Sequence, residues 1–156
     1  MRPVDYWPGI GINLSMVKQK ELCVKRSKLP GAGKGLFTQT FIPKGTKIVE
    51  YKGRIHTWKE LKEADNNGYL FYVNRNHVID ALPYQKAFAR FANDAKGAVR
   101  QKGVTNNSQY ITEGLKVYIS SLRDIQPGEE ILVGYGKEYW DIMRENQRAK
   151  DKPAKK

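Results

Sequence analysis

Cysteine and histidine are scarce in this chain. Its 156 residues include one cysteine, Cys23, and two histidines, His56 and His77. One cysteine excludes an internal disulfide and a cysteine zinc cluster, and two histidines cannot complete a tetrahedral zinc site alone. We therefore expect no metal site, a buried strand position for Cys23, and surface or strand-end positions for the two histidines.

Long apolar runs are also missing. No stretch approaches the roughly 20 apolar residues that cross a bilayer, and residues 1–8 lack the apolar core and cleavage site of a secretory signal. A content of 40% apolar and 28% charged residues is typical of a soluble globular protein, and the length suits one domain. We therefore expect an intracellular protein rather than a membrane protein.

Acidic residues are too few to balance the basic ones. The chain has 28 lysines and arginines against 16 aspartates and glutamates, which gives a net charge of +12. Such an excess favours a polyanionic partner, either nucleic acid or an acidic surface of a protein complex. Residues 144–156 are rich in basic side chains. They are interpreted as a solvated, partly disordered tail, or as a contact to nucleic acid or to a nucleosome-like partner.

Short segments of alternating polarity, separated by turns, occupy most of the chain, which predicts more strands than helices. The predicted strands are residues 22–25, 46–53, 70–73, 77–80, 110–112 and 115–120, with hairpins over 70–80 and 110–120. Three helices are predicted. The first begins after Thr57, whose spacing from Glu60 is that of a capping box, and the other two cover 84–91 and 137–149. Residues 94–107 lack periodicity and are predicted to form a surface loop.

Four short motifs occur in one order along the chain: GKGLF at 33–37, YKG at 51–53, RFAN at 90–93 and EEILVGY at 129–135. The first is not a Walker phosphate loop, which needs Ser or Thr directly after Gly-Lys. It is not a Rossmann loop either, because the residues after its last glycine favour a strand rather than a helix. It is interpreted as a glycine turn between two strands, or as such a turn whose backbone approaches a ligand.

In this order the four motifs resemble those of the SET-domain protein lysine methyltransferases, over residues 20–140. The resemblance implies a mainly β (β-rich α+β) SET-domain fold of small curved sheets with a pseudoknot and a C-terminal helix. It also implies S-adenosylmethionine as the methyl donor, which leaves as S-adenosylhomocysteine. The chain then divides into an N-terminal extension (1–19), a SET domain (20–136), a closing helix (137–149) and a basic disordered tail (150–156).

The resemblance assigns a role to several residues. Tyr135 matches the catalytic tyrosine of the family, and Tyr51, Tyr110 and Val133 are expected to line the channel for the substrate lysine. Asn93 is expected to hold the amino-acid end of the donor. The full set expected to bind the donor is Gly33, Lys34, Gly35, Leu36, Arg90, Phe91, Asn93, Asp94, Tyr135 and Trp140.

The chain departs from the family pattern at several positions. Asp94 stands where the family usually has a histidine, and we expect it to pair with a nearby base instead. Gly134 stands where an aspartate is common. A second asparagine of the family has Asn106 and Asn107 as its candidates here.

The zinc-binding cysteines that often follow the domain are absent. The helix predicted over 137–149 must therefore close the site without metal, with Trp140 over the adenine or over the channel.

The chemistry agrees with such a site. Methyl transfer needs a neutral lysine, although free lysine has a pKa of about 10.4. A sulfonium charge and an apolar channel both disfavour the ammonium form, and tyrosine hydroxyls can orient the amine. The leading hypothesis is a zinc-independent, S-adenosylmethionine-dependent protein-lysine N-methyltransferase that adds one or two methyl groups. Its expected substrate is a histone or another basic or nucleic-acid-associated protein, in the cytoplasm or on chromatin or a nucleoid.

Two other interpretations stay open. One is a catalytically inactive SET-like scaffold that binds nucleic acid or a protein partner. The other is a nucleic-acid module unrelated to methylation. The nine tyrosines also have an ordinary explanation, since tyrosines in β-rich chains are often strand residues with one end in water.

Overall fold

The described chain contains nine short strands and two α-helices. The computed structural model describes residues 16–61, 68–97 and 100–153. The strands are β1 Leu22–Arg26, β2 Lys34–Thr38, β3 Lys47–Glu50, β4 Arg54–His56, β5 Leu70–Asn74, β6 His77–Asp80, β7 Ser108–Glu113, β8 Lys116–Ser121 and β9 Glu130–Ile131. The α-helices are α1 Trp58–Leu61 and α2 Lys137–Asp151, and short 3-10 helices cover Gln19–Glu21 and Phe88–Phe91.

The strands form three small antiparallel sheets, in the orders β1-β2-β9, β3-β8-β7 and β4-β6-β5. Both predicted hairpins are confirmed. In the β7–β8 hairpin, Glu113 faces Lys116 across a two-residue turn, and Gly114 has a φ of +61°, a left-handed conformation that glycine adopts without steric cost. The fold class and most of the strands are therefore as predicted, but β3 ends at Glu50 rather than at residue 53, and β4 lies where no strand was predicted.

One apolar core joins the three sheets. It draws on alternate residues of most strands, because side chains alternate between the two faces of a strand. Its fully buried members include Leu36, Ile42, Ile48, Val117, Ile119, Ile125, Ile131 and Val133. Burial at this scale, at about 25 cal/mol per Å² of apolar surface, provides the main force that holds the sheets together.

The segment 130–133 lies between the two ends of the loop 94–107. On one side Leu132 forms a parallel bridge with Asn93, and on the other Val133 forms one with Ser108. The side chain of Asn107 is 1% exposed; its Nδ2 donates to Glu130 O at 2.8 Å and its Oδ1 accepts from Leu132 N at 2.9 Å. This threading corresponds to the predicted pseudoknot.

The predicted helices are found in altered form. The Thr57 capping box is present, with Thr57 N donating to Glu60 Oε2 at 2.7 Å, and α1 follows it. The predicted helix over 84–91 is wrong, since only a 3-10 helix over Phe88–Phe91 forms. The chain must become extended at Ala92, with φ −70° and ψ 120°, because Asn93 pairs with the threaded segment.

Other predictions differ in detail. Helix α2 ends at Asp151 rather than at residue 149. Cys23 lies in β1 as predicted, but it is half-buried rather than buried. The histidines lie at strand ends, with His56 closing β4 and His77 opening β6.

Some predicted segments cannot be compared with the structure. Three such segments lie outside the described residues. They are most of the extension 1–19, the part of the predicted Thr57 helix that follows Leu61, and the last three residues of the tail. Among those described, no helix is long and apolar enough to cross a membrane.

Replacement of Asn107 by alanine is expected to destabilise the fold by about 2–4 kcal/mol, because it leaves a buried N–H and a buried carbonyl of the threaded segment without partners. Urea unfolding followed by circular dichroism measures this. Asn74→Ala is the control, because Asn74 Oδ1 accepts from Asn76 N in an exposed turn and its loss is expected to cost under about 1 kcal/mol. Equal costs for the two variants would contradict the structural role given to Asn107.

Candidate active site

An open cavity of about 1220 Å³ collects most of the predicted site residues. Its walls come from the turn between β1 and β2, from β5, from the segment 90–94, from Tyr110 of β7 and from the first turns of α2. The predicted residues on these walls are Gly33, Lys34, Tyr51, Arg90, Phe91, Asn93, Asp94, Tyr110, Tyr135 and Trp140.

The turn between β1 and β2 presents backbone to the cavity. Gly31 and Gly33 have φ values of +73° and +70°, which L side chains rarely adopt. No atom lies within 4 Å of the position where a Cβ would stand at either glycine. The turn is fixed at its base, where Ser27 N donates to Gly33 O at 2.7 Å. The glycines therefore serve a turn whose backbone is open to a ligand.

Three predicted site residues do not line the cavity. Gly35 packs against the carboxylate of Glu130, and a Cβ at Gly35 would lie 2.2 Å from Glu130 Oε1. Leu36 and Val133 are fully buried in the core. Leu36 packs in the apolar core that joins the three sheets. Val133 is fixed by its backbone, since Val133 N donates to Asn93 O at 2.9 Å.

Asn93 is held by its amide nitrogen. Its Nδ2 donates to Lys34 O at 2.9 Å and to Glu130 Oε1 at 3.3 Å. Among the described residues, no group donates to its Oδ1. A carbonyl oxygen on the cavity wall accepts hydrogen bonds, and a ligand ammonium group is a suitable donor.

Arg90 mainly supports neighbouring backbone. Its Nη1 donates to Ala81 O at 3.1 Å and to Leu82 O at 2.9 Å. The guanidinium lies over the ring of Tyr69, 4.2 Å from the centroid, a cation–π arrangement. Its Nε is buried and has no hydrogen-bond partner among the described residues.

Aromatic rings form another part of the cavity wall. The centroid of Tyr110 lies 6.0 Å from that of Tyr51 and 6.4 Å from that of Tyr135. The Tyr135 ring is 4.8 Å from Tyr139, and Phe71 lies 5.0 Å from Tyr110. We call Tyr51, Phe71, Tyr110, Tyr135 and Tyr139 the aromatic wall.

The hydroxyls of the aromatic wall stay protonated. Burial raises the pKa values of Tyr51, Tyr110 and Tyr135 well above that of an ordinary phenol, with smaller effects from neighbouring tyrosines. Tyr51 Oη donates to Tyr69 O at 2.8 Å, and Tyr135 Oη donates to Ala92 O. Both oxygens therefore keep lone pairs with which to accept a hydrogen bond.

Asp94 binds four donors. Its Oδ1 accepts from Lys96 N and Asn106 Nδ2, both at 2.8 Å. Its Oδ2 accepts from Tyr135 N at 2.9 Å and from Trp140 Nε1 at 2.8 Å. The expectation that Asp94 pairs with a base is wrong, because no lysine, arginine or histidine side chain of the described chain contacts it. Its partners are neutral groups.

These hydrogen bonds determine the charge state of Asp94. Burial alone would raise the pKa of its carboxyl, but the hydrogen bonds from Trp140, Tyr135, Asn106 and Lys96 outweigh burial and lower the pKa below its ordinary value. The carboxylate is thus ionised at neutral pH and fully occupied, which leaves it no capacity to act as a base toward a substrate.

Trp140 connects α2 to the cavity. Its ring stacks on Tyr135 at 5.8 Å and meets Tyr139 edge-on at 5.0 Å. Gly97 permits close packing, since a Cβ there would lie 3.2 Å from Trp140 Cη2. The helix therefore closes one side of the cavity through Trp140.

Sequence reasoning missed several residues of the site, among them Phe71, Tyr69, Tyr139 and Glu130. Tyr139 carries the only available signal, since it lies four residues after Tyr135 and just before Trp140 at the start of a helix. Tyr69 and Glu130 act through a backbone carbonyl and a buried carboxylate, and neither role leaves a sequence pattern.

Small antiparallel sheets, a threaded segment and an aromatic-walled cavity define a SET-type domain. Residues 33–136 match the family model of the SET domain. The chain belongs to the SET domain family.

Two similar proteins are methyltransferases by name. Over 140 residues the chain is 29% identical to histone-lysine N-methyltransferase set-17 of Caenorhabditis elegans. The matched region is 85% of this chain and 47% of that protein. This chain thus spans about half the length of that relative. The methyltransferase domain of human PR domain-containing protein 2 has a similar structure, with a TM-score of 0.57, 26% identity and coverage of 86% of this chain and 82% of that chain.

Asp94→Asn is expected to destabilise the protein by about 2–4 kcal/mol at neutral pH, because an amide must place N–H groups against two of the four donors. The folded-state pKa of Asp94 lies below its unfolded value, so its contribution is complete above the unfolded pKa and is lost as pH falls through the folded pKa. The difference between wild type and variant should therefore shrink in acid. Urea unfolding at several pH values measures it.

Asp141→Asn is the matched control for this prediction. Asp141 lies on α2 and pairs with Lys137 and Arg144 at the surface, both at 2.6 Å, so its replacement removes the same charge without touching the cavity. A large cost for Asp141→Asn, or a cost for Asp94→Asn that does not depend on pH, would contradict the role of Asp94.

Proposed function

We propose that this chain transfers a methyl group from S-adenosylmethionine to the side-chain amine of a lysine in a protein. The observation that carries the proposal is one cavity with two chemically different sets of lining residues. One set is the Gly33 turn with Asn93, and the other is the aromatic wall. A two-substrate transfer needs such a shared space, because both reactants must approach each other.

The residues present fit the donor. Its ammonium group matches Asn93 Oδ1, and its carboxylate matches the cationic side chains of Lys34 and Arg90, whose buried Nε lacks a partner among the described residues. The aromatic faces of Phe91 and Trp140 suit adenine. When bound, S-adenosylmethionine supplies an electrophilic methyl group on a positively charged sulfur.

The aromatic wall prepares the lysine amine. Its rings provide a desolvated surrounding, which disfavours the charged ammonium form and lowers the pKa of an entering lysine. The Tyr135 hydroxyl donates its hydrogen bond to Ala92 O. Its oxygen can therefore accept a hydrogen bond from the amine and direct the nitrogen lone pair. Neither Asp94 nor the phenols serve as the base, since Asp94 is fully occupied and the phenols remain neutral. The lysine proton leaves to solvent before transfer.

The aromatic wall also limits the product. Tyr110 is enclosed by Phe71 at 5.0 Å, Tyr51 at 6.0 Å and Tyr135 at 6.4 Å. Val133, which was expected to line this channel, lies in the core instead. These short separations favour one or two methyl groups over three.

The substrate segment is proposed to lie along β5. In the described part of the chain β5 pairs with β6 alone, and its residues Leu70, Phe71 and Tyr72 all line the cavity. An edge strand can bind an extended peptide by main-chain hydrogen bonds. Tyr72 and Trp58 extend this surface, 56% and 47% exposed and edge-on at 5.7 Å.

The proposed substrate is a histone or another basic, nucleic-acid-associated protein. The name of the Caenorhabditis elegans relative supports a histone. A net charge of +12 suits a tail presented by a nucleic-acid-containing assembly, and the exposed part of α2 from Arg144 onward carries several basic side chains. This proposal implies action on chromatin, on a nucleoid or in the cytoplasm.

Tyr135→Phe is expected to lower kcat by about 10²–10³-fold, because the oxygen that orients the amine is lost. Labelled S-adenosylmethionine with a panel of histones, ribosomal proteins and other basic proteins measures transfer. Tyr118→Phe is the control, since Tyr118 lies in β8 away from the cavity. Donor binding without transfer to any lysine by the wild type would favour an inactive scaffold and contradict the proposal.

Tyr72→Ala is expected to raise KM for the protein substrate by about tenfold, because an exposed aromatic contact is lost, while donor affinity stays unchanged. Steady-state kinetics at saturating donor measures it. Tyr84→Ala is the matched control, since Tyr84 is 44% exposed and outside the cavity. An equal effect of both variants would place the substrate elsewhere.

A further inference from the structure

Glu130 carries a buried carboxylate behind Asn93, which lines the cavity. Glu130 is 7% exposed and lies at the start of β9. Ser27 Oγ donates to Oε1 at 2.6 Å, Lys28 N donates to Oε2 at 2.9 Å, and Asn93 Nδ2 donates to Oε1 at 3.3 Å. Among the described residues, no cationic side chain pairs with it.

The surroundings of Glu130 are shaped for a carboxylate. All three partners are donors, and a carboxylate is a pure acceptor, so each contact satisfies both groups. Gly35 leaves the space, since a Cβ there would lie 2.9 Å from Glu130 Cδ as well as against the oxygen. A buried carboxylate without a cation is costly unless hydrogen bonds satisfy it. Here they do, and they join the glycine turn to Asn93.

We infer that Glu130 is a positioning residue that fixes which end of the Asn93 amide faces the cavity. The two protons of Asn93 Nδ2 go to Lys34 O and Glu130 Oε1. Both acceptors lie on the protein side, so Oδ1 is the polar atom that Asn93 offers to a ligand. Glu130 thereby makes this part of the cavity selective for a positively charged donor group.

The inference rests on the proposed function, because the positively charged group is taken to be the ammonium of the methyl donor. It adds a residue that does not touch the ligand. It also explains why Gly35 belongs to the motif without lining the cavity: any side chain at Gly35 would displace the carboxylate that holds Asn93.

The test compares two ligands. S-adenosylhomocysteine carries the ammonium group, and its analogue with hydrogen in place of the amino group does not. Isothermal titration gives the dissociation constant of each. The wild type is expected to prefer S-adenosylhomocysteine by about tenfold or more, the value of one charge-assisted hydrogen bond. Glu130→Gln is expected to reduce this preference to about twofold, because a glutamine amide leaves a donor against a donor and releases Asn93.

A double-mutant cycle shows whether Glu130 acts through Asn93. In the Asn93→Ala background, Glu130→Gln is expected to have no further effect on the preference. Glu129→Gln is the matched control: Glu129 is the adjacent acid and pairs with Arg123 at 3.1 Å on the surface, so its replacement should leave the preference unchanged.

Three results would overturn the inference. Equal weakening of both ligands by Glu130→Gln would make its role merely structural. Additive effects in the cycle would separate Glu130 from Asn93. Ser27→Ala removes a single donor to Oε1 and serves if Glu130→Gln does not fold, and an unchanged preference in that variant would also overturn it. Failure of the wild type to bind either ligand would instead refute the proposed function, and the inference with it.

Discussion

The site depends on the passage of residues 130–133 between Asn93 and Asn107. Asn107 bonds the threaded backbone on both sides of Ile131, and Asn93 O accepts from Val133 N. These contacts are buried, where an unpaired backbone group is expensive, so the segment has one position. Glu130 at the start of this segment then supports Asn93 from behind the cavity wall, and Tyr135 just beyond its end lines the cavity. The threading thereby fixes Asn93 relative to the aromatic wall.

Two buried carboxylates, those of Glu130 and Asp94, connect the threaded segment and its neighbours to residues of the cavity wall. Glu130 joins the glycine turn to Asn93, and Asp94 joins the loop 94–107 to Tyr135 and Trp140. Each carboxylate is surrounded by neutral donors, so each orients its partners without neutralising a cation. The chemistry proposed for the site rests on the arrangement of neutral tyrosines around a desolvated space.

The strands and the cavity could be predicted to different extents. Alternating polarity located β5, β6, β7 and β8, because half-buried strands leave that pattern in any sequence. The resemblance of the ordered motifs predicted that Tyr51, Tyr110 and Tyr135 line one cavity, and the structure confirms this. Their individual roles stay predictions. Gly35, Leu36 and Val133 were misplaced, because a motif does not tell which of its residues the core buries. The partners of Asp94 lie up to 46 residues away in sequence, so no local pattern could identify them.

One cavity is proposed to bring a methyl donor to a protein lysine. Tandem mass spectrometry of mixed histones and ribosomal proteins, after incubation with the wild-type chain and unlabelled S-adenosylmethionine, is the most direct test. We expect the added mass of one or two methyl groups on particular lysines, and only when the donor is present. Unmodified lysines throughout that mixture, from a folded chain saturated with donor, would contradict it.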